Sequence, residues 1–256
     1  MKLTERNYFS RKMNQHFMSV SQFKAFEKCQ AAALAEIQGK YKREPTTALL
    51  VGSYVDAWAD GTLDEFKQQY PEIFKRDGTL KAEYIQAEAI IKRIERDKLF
   101  RHYMSGEKQV IMTGEICGVP VKIKVDSLLP DKIVDLKIMR DFENIYDVES
   151  GETLSWAEYW GYYLQGAVYQ EIVRQNTGKT LPFYLAAATK EKVTDIDIVQ
   201  IEQADLDFYF EKFKANVELY DAIKHGIIKP ERCEKCVWCK ETKRLTKPRS
   251  SSEFYF

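Results

Sequence analysis

The stretch Val125-Asp126-Ser127-Leu128-Leu129-Pro130-Asp131-Lys132-Ile133-Val134-Asp135-Leu136-Lys137 decides how this chain is read. Two acidic residues and a lysine punctuate two short apolar segments, Val119 to Leu129 and Ile133 to Met139, and Pro130-Asp131-Lys132 between them has turn composition. This pattern predicts a β-hairpin. Side chains alternate faces along a strand, so Asp135 and Lys137 point the same way, and Asp126 on the partner strand can reach their face if the register allows. Two converging carboxylates repel each other and are expensive to desolvate, which makes a hard cation such as Mg²⁺ or Mn²⁺ their natural compensation. A lysine two residues beyond the second carboxylate can then orient a water or stabilise charge developing on a phosphoryl group, the chemistry of a phosphodiesterase. An acid-x-lysine pair alone is equally what the wet face of an amphipathic strand carries. The hairpin around it is what raises the pattern above a solvated surface.

Downstream, Leu154 to Gln175 has helical periodicity and places Gln165 and Tyr169 four residues apart on one face. That face can offer an amide and a phenol to a site. With Trp156, Tyr159, Trp160, Tyr162 and Tyr163, the same helix can instead simply pack a core. Upstream, Gly52 permits a close approach at the start of a helix over Ser53 to Asp60, which carries Asp56 one turn in.

The cysteines form a second pattern. Cys233, Cys236 and Cys239 recur at three-residue spacing, with Cys29 far upstream and Cys117 between. Three thiolates on a tight loop suit an iron–sulfur cluster or zinc, and either needs a fourth ligand. Cys29 ends a segment with a helix cap at Ser19 or Ser21 followed by helical periodicity, over roughly Ser19 to Gly39. Cys117, in Gly114-Glu115-Ile116-Cys117-Gly118, reads as a small buried residue at a strand end. Free thiols in a reducing compartment are the remaining reading, and disulfides rank last.

Composition sets bounds. At 256 residues and 45% hydrophobic, the chain can bury a sizeable core as one domain. With 39 basic and 39 acidic residues, no global field draws it to nucleic acid. Local basic groups can still do so, on Lys122, Lys124 and Lys132 near the hairpin or along Lys235, Lys240, Lys243, Arg244, Lys247 and Arg249. No stretch has the apolar length of a membrane span and the first residues lack a signal-peptide core, so a cytoplasmic protein with no membrane partner is expected.

Taken together, these residues resemble the PD-(D/E)xK nucleases, in the RecB-type and lambda-exonuclease-like branch that includes phage exonucleases of the exodeoxyribonuclease VIII type. Asp126 and Asp135-Leu136-Lys137 match the signature, Gln165 and Tyr169 its Q-x-x-x-Y element, and Gly52 to Asp56 its G-x-x-x-H/D element, with aspartate where many relatives have histidine. The four elements fall in family order over roughly residues 18 to 240. The resemblance implies an α/β fold with a restriction-endonuclease-like core, a central mixed β-sheet flanked by helices and a helical N-terminal region. It implies a metal-dependent exodeoxyribonuclease of phage or prophage recombination or replication, with DNA as substrate and a single-strand annealing or recombination protein as possible partner. Asp56, Asp126, Asp135 and the Leu136 carbonyl would bind the metal. Lys137 would act as base or electrostatic stabiliser, and Gln165 and Tyr169 would orient water, lysine or DNA. Some RecB-type nucleases place one cysteine before the core and three after it around a [4Fe–4S] cluster, which implies that role for Cys29, Cys233, Cys236 and Cys239, with Zn²⁺ as the alternative. The alternative function is an inactive nuclease-fold module that binds DNA or protein. The expected organisation is one domain over 1–256: an arm over 1–16, a mainly helical region over 18–105, a catalytic core over 106–227, and a cysteine loop and tail over 228–256.

Overall fold

The structure, a computed structural model, describes residues 3–44, 46–248 and 250–251. Arg249 and most of the aromatic tail lie outside the described residues. β1 (Glu107–Ile116), β2 (Val119–Leu129) and β3 (Lys132–Met139) form an antiparallel meander whose last two strands are the predicted hairpin, and a small separate hairpin follows, β4 (Ile145–Asp147) with β5 (Glu152–Leu154). The sheet is completed by β6 (Phe183–Thr189) and β7 (Ile196–Gln200), in the order β1-β2-β3-β6-β7. Only β3 and β6 run parallel, so the sheet is mixed, as expected.

Each face of the sheet carries its own core. On one side α2 (Val20–Lys28), α3 (Gln30–Ile37), α9 (Tyr162–Thr177) and α10 (Gln203–Lys224) cover Val121, Ile123, Val125 and Leu185. On the other, α4 (Thr47–Ala59), α6 (Ala82–Glu95) and α7 (Lys98–Tyr103) cover Val134, Leu136, Ala186 and Ala188. Shorter helices α1 (Arg11–His16), α5 (Leu63–Gln69), α8 (Trp156–Tyr159) and α11 (Val237–Glu241) fill in around them. Helices on both faces of a central mixed sheet are the α/β fold that the resemblance implies.

Where the structure departs from the sequence expectation, the cause is local. The helix expected over Ser19 to Gly39 is two, because Cys29 takes an extended conformation (φ −167°, ψ 107°) between α2 and α3. The helix expected over Leu154 to Gln175 breaks into α8 and α9 at Gly161, whose φ of +69° is left-handed and favours glycine. After α6 ends, Asp97 caps a new helix, α7, its side chain accepting from the Phe100 N–H at 2.9 Å. Cys117 is exposed rather than buried: it and Gly118 form the two-residue β1–β2 turn with φ of +50° and +74°, the left-handed pair that a type I′ turn requires.

The N-terminal residues are built into the fold. β2 and β3 pair only over Ser127–Leu129, and beyond that point they diverge. Met18 occupies the freed edge of β2, its N–H donating to the Pro120 carbonyl at 2.8 Å while the Lys122 N–H donates to the Met18 carbonyl at 2.9 Å. Lys122 is therefore no surface cation. It is 1% exposed, and its Nζ donates to the Tyr8 carbonyl at 2.5 Å and to Asn14 Oδ1 at 2.7 Å. Truncating it leaves two acceptors without a donor and a cavity, so Lys122→Ala should lower stability by about 2–4 kcal/mol in denaturant titration. Burial, then the neighbouring Lys224, pushes the Lys122 pKa down to about 8. Between pH 8 and 10 the unfolded chain thus holds a proton that the folded one has released, and stability rises with pH. The melting temperature should climb from pH 8 to about 9.5, and the climb should shrink in Lys122→Met; an unchanged slope in that variant contradicts this account.

Candidate active site

The divergence of β2 from β3 makes the site. Continuing the register Ser127↔Val134 by one step puts Asp126 opposite Asp135, where the ladder has already opened. Asp126 inserts its side chain into the fork, and its Oδ2 accepts the Leu136 N–H at 2.9 Å in place of a backbone partner. Asp135 and Lys137 share a strand face, as their spacing required, and form an ion pair there. Asp135 is 2% exposed. Helix α9 closes over this face: a side chain at Gly166 would meet Phe183 and Leu206 within 3 Å, so only glycine allows the approach that lets Gln165 Nε2 donate to Asp135 Oδ1 at 2.7 Å. Tyr169, one turn on, packs against the core and donates its hydroxyl to the Lys124 carbonyl at 3.1 Å. It braces β2 rather than reaching the acids by a hydrogen bond.

Asp56 comes from α4. That helix begins at Thr47, capped by Thr46, so Asp56 lies more than two turns in, and Gly52 is a mid-helix residue whose added Cβ would meet nothing within 4 Å. Gly52 thus permits no tight protein contact here; it leaves open space one turn before Asp56. Asp56 itself reaches solvent, yet confinement, followed by the charge of Asp126, raises its pKa well above the carboxylate range. Burial raises that of Asp135 to about 7, opposed by Lys137 and reinforced by Asp126. Burial alone would lower the pKa of Lys137, but Asp135 and Asp126 more than reverse it and keep the ammonium charged. The site holds more carboxylates than cations, and this excess negative charge in an oxygen-only donor set suits Mg²⁺ or Mn²⁺. Among the described residues no three acidic oxygens close to within 4.8 Å of one another; Lys137 and Gln165 engage Asp135 instead.

The four cysteines that the sequence separates by up to 210 residues do converge, their donor atoms all within 4.8 Å of one another. Cys29 Sγ lies 3.6 Å from Cys239 Sγ and 3.8 Å from Cys236 Sγ. The extended conformation that splits α2 from α3 places Cys29 there, and the Ala31 N–H, donating to the Glu231 carbonyl at 2.9 Å, ties the two segments together. Backbone N–H groups of Lys235, then Cys236, help to lower the Cys233 thiol to about 6, so it is ready to ligate at neutral pH. The group can hold a metal. Separations of 3.6, 3.8 and 4.0 Å lie near the edge of a tetrahedron with sulfur bonds of about 2.3 Å, roughly 3.8 Å, which suits one zinc ion. Cys117 is remote from the group.

Comparison with known proteins adds a lineage to this geometry. Residues 19–242 match the model of a family described as a PDDEXK-like domain of unknown function (DUF3799). The chain belongs to this PDDEXK-like family. A crystal structure of a "Putative exonuclease" from Eubacterium rectale is 45% identical, with 100% of this chain and 98% of that chain covered at a TM-score of 0.95. No curated protein matches. Membership in the PDDEXK-like family and this neighbour support a nuclease, and PDDEXK nucleases typically use divalent metals.

Two residues of this PDDEXK-like site gave no signal in the sequence. Lys24, flanking the buried Val20, Phe23 and Phe26 on α2, lies in a cleft of about 110 Å³ shared with Ser19, Gln165 and Tyr169, and its Nζ donates to the Trp160 carbonyl at 2.9 Å. Burial, then the charge of Lys137, lowers its pKa to about 8. Gln109 reaches the acids from β1. The basic residues Lys235, Lys240, Lys243, Arg244 and Lys247 are exposed around the cysteine loop, away from this cleft's lining. No helix among the described residues is long and apolar enough to cross a membrane.

Proposed function

We propose that the protein is a metal-dependent deoxyribonuclease that degrades DNA from an end. The observation that carries this reading is the fork at Asp126, where a broken β-ladder gathers Asp126, Asp135 and Lys137 under Gln165, with Asp56 close enough to feel their charge. Asp56, Asp126, Asp135 and the Leu136 carbonyl would hold Mg²⁺ or Mn²⁺. When bound, such an ion polarises a phosphoryl oxygen and acidifies a water. The residues of the chain do the rest. Lys137, kept protonated by two carboxylates, donates to the attacking water and offsets charge developing on the phosphate. Gln165 fixes the plane of Asp135, and Lys24 supplies a second positive charge at the cleft for the DNA backbone. Action on ends rests on the family resemblance and on the name of the 45% identical neighbour; service in phage or prophage recombination alongside an annealing protein rests on the family resemblance alone. The four cysteines would hold a [4Fe–4S] cluster, by the same resemblance, or one zinc ion.

The test is cleavage of linear DNA labelled at one end, single and double stranded, with Mn²⁺ or Mg²⁺ against EDTA. Metal-dependent loss of the terminal label at once, where digestion starts at the labelled end, or stepwise shortening of the labelled strand, where it starts at the other, supports the proposal. Binding of DNA without cleavage, from folded and metal-loaded protein, favours the inactive DNA-binding alternative.

A further inference from the structure

We infer that Gln109 is a positioning residue for the metal site, fixing the carboxylate of Asp126 by spanning it to Asp60; this rests on the metal-dependent reading above. Gln109 lies in β1 between the paired residues Lys108↔Ser127 and Val110↔Val125, so the register sets it opposite Asp126. The pairing is interrupted there because Gln109 has a φ of +52°, the left-handed region inside a strand of otherwise regular partners. A non-glycine residue in that conformation is held against a steric penalty, and such residues concentrate where function requires them. Here the distortion has a visible product. The side-chain amide donates to Asp60 Oδ1 at 2.8 Å and approaches Asp126 Oδ1 at 3.4 Å.

Asp126 is then gripped at both oxygens, Oδ1 by Gln109 and Oδ2 by the Leu136 N–H. Two neutral donors fix its plane while leaving the remaining lone pairs available. The other end of the amide is left unsatisfied: Gln109 Oε1 is buried and accepts no hydrogen bond among the described residues. Facing two carboxylates, the amide must present its nitrogen, and the orphaned oxygen is the consequence. A residue chosen for β1 stability alone would carry neither the backbone strain nor the orphan. Groups that orient ligands in this way typically change metal affinity by about 10–100-fold when removed.

The experiment compares Gln109→Ala, which keeps the strained backbone and loses the amide, with Gln109→Gly, which loses both. Mn²⁺ binding is measured by calorimetry without DNA, beside thermal melts. Both variants should bind Mn²⁺ about 10–100-fold more weakly than wild type, with Gln109→Gly melting above Gln109→Ala because glycine relieves the positive φ. Wild-type affinity in Gln109→Ala, or affinity that returns in Gln109→Gly together with stability, overturns the positioning role. Asp126→Asn separates the two claims. If wild type binds Mn²⁺ and Asp126→Asn does not, the metal site stands whatever Gln109 does; if Asp126→Asn binds as wild type does, the metal reading itself fails.

Discussion

Lys137→Met should remain folded and cleave DNA about 10²–10⁴-fold more slowly, the range that a positioned proton-transfer or charge-stabilising group contributes. Methionine preserves the stem and removes only the ammonium. The loss leaves Asp135 buried beside Asp126 with no cation between them, ordinarily a severely destabilising arrangement. Asp135 escapes it by taking up a proton, since its pKa already stands at about 7 with the lysine present and rises further without it. The fold therefore survives while the chemistry does not. Single-turnover cleavage at saturating Mn²⁺, beside a denaturant melt, separates the two: activity within threefold of wild type removes Lys137 from the mechanism.

Cys29→Ser should lower stability by about 5 kcal/mol and the melting temperature by about 10–20 °C if the cysteines hold a metal, because that metal closes a loop of 210 residues. The same variant should lose the bound metal, and elemental analysis of wild type purified without oxygen decides between iron and zinc. Cys117→Ser is the control, since Cys117 is exposed on the β1–β2 turn and outside the group. Equal melting of wild type and Cys29→Ser would mean that the four thiols are unligated.

The hairpin of the central sheet was legible because short apolar runs and turn composition are local signals. Val119–Leu129 occurs over the residues expected, and Asp126, Asp135 and Lys137 reach one another through a hairpin that their flanking residues announce. What was not legible depends on distant partners. Lys122 reads as a basic surface residue until Tyr8 and Asn14, more than a hundred residues earlier, arrive to receive its ammonium. Gln109 is an unremarkable strand residue until the register sets it against Asp126. Helix breaks at Cys29 and Gly161 were masked by apolar periodicity, since only one residue separates α2 from α3 and two separate α8 from α9.

The cysteine group also orders events during synthesis. Cys29 leaves the ribosome more than two hundred residues before its partners Cys233, Cys236 and Cys239. At elongation rates of about 5–20 residues per second, the nascent chain spends roughly 10–40 s with Cys29 lacking those partners. The hairpin and the helices on either side of the sheet can assemble in that interval. If the thiols hold a metal, they cannot close their group until Cys239 has appeared, so the sheet precedes metal capture, and a chain terminated short of Cys239 lacks that seal.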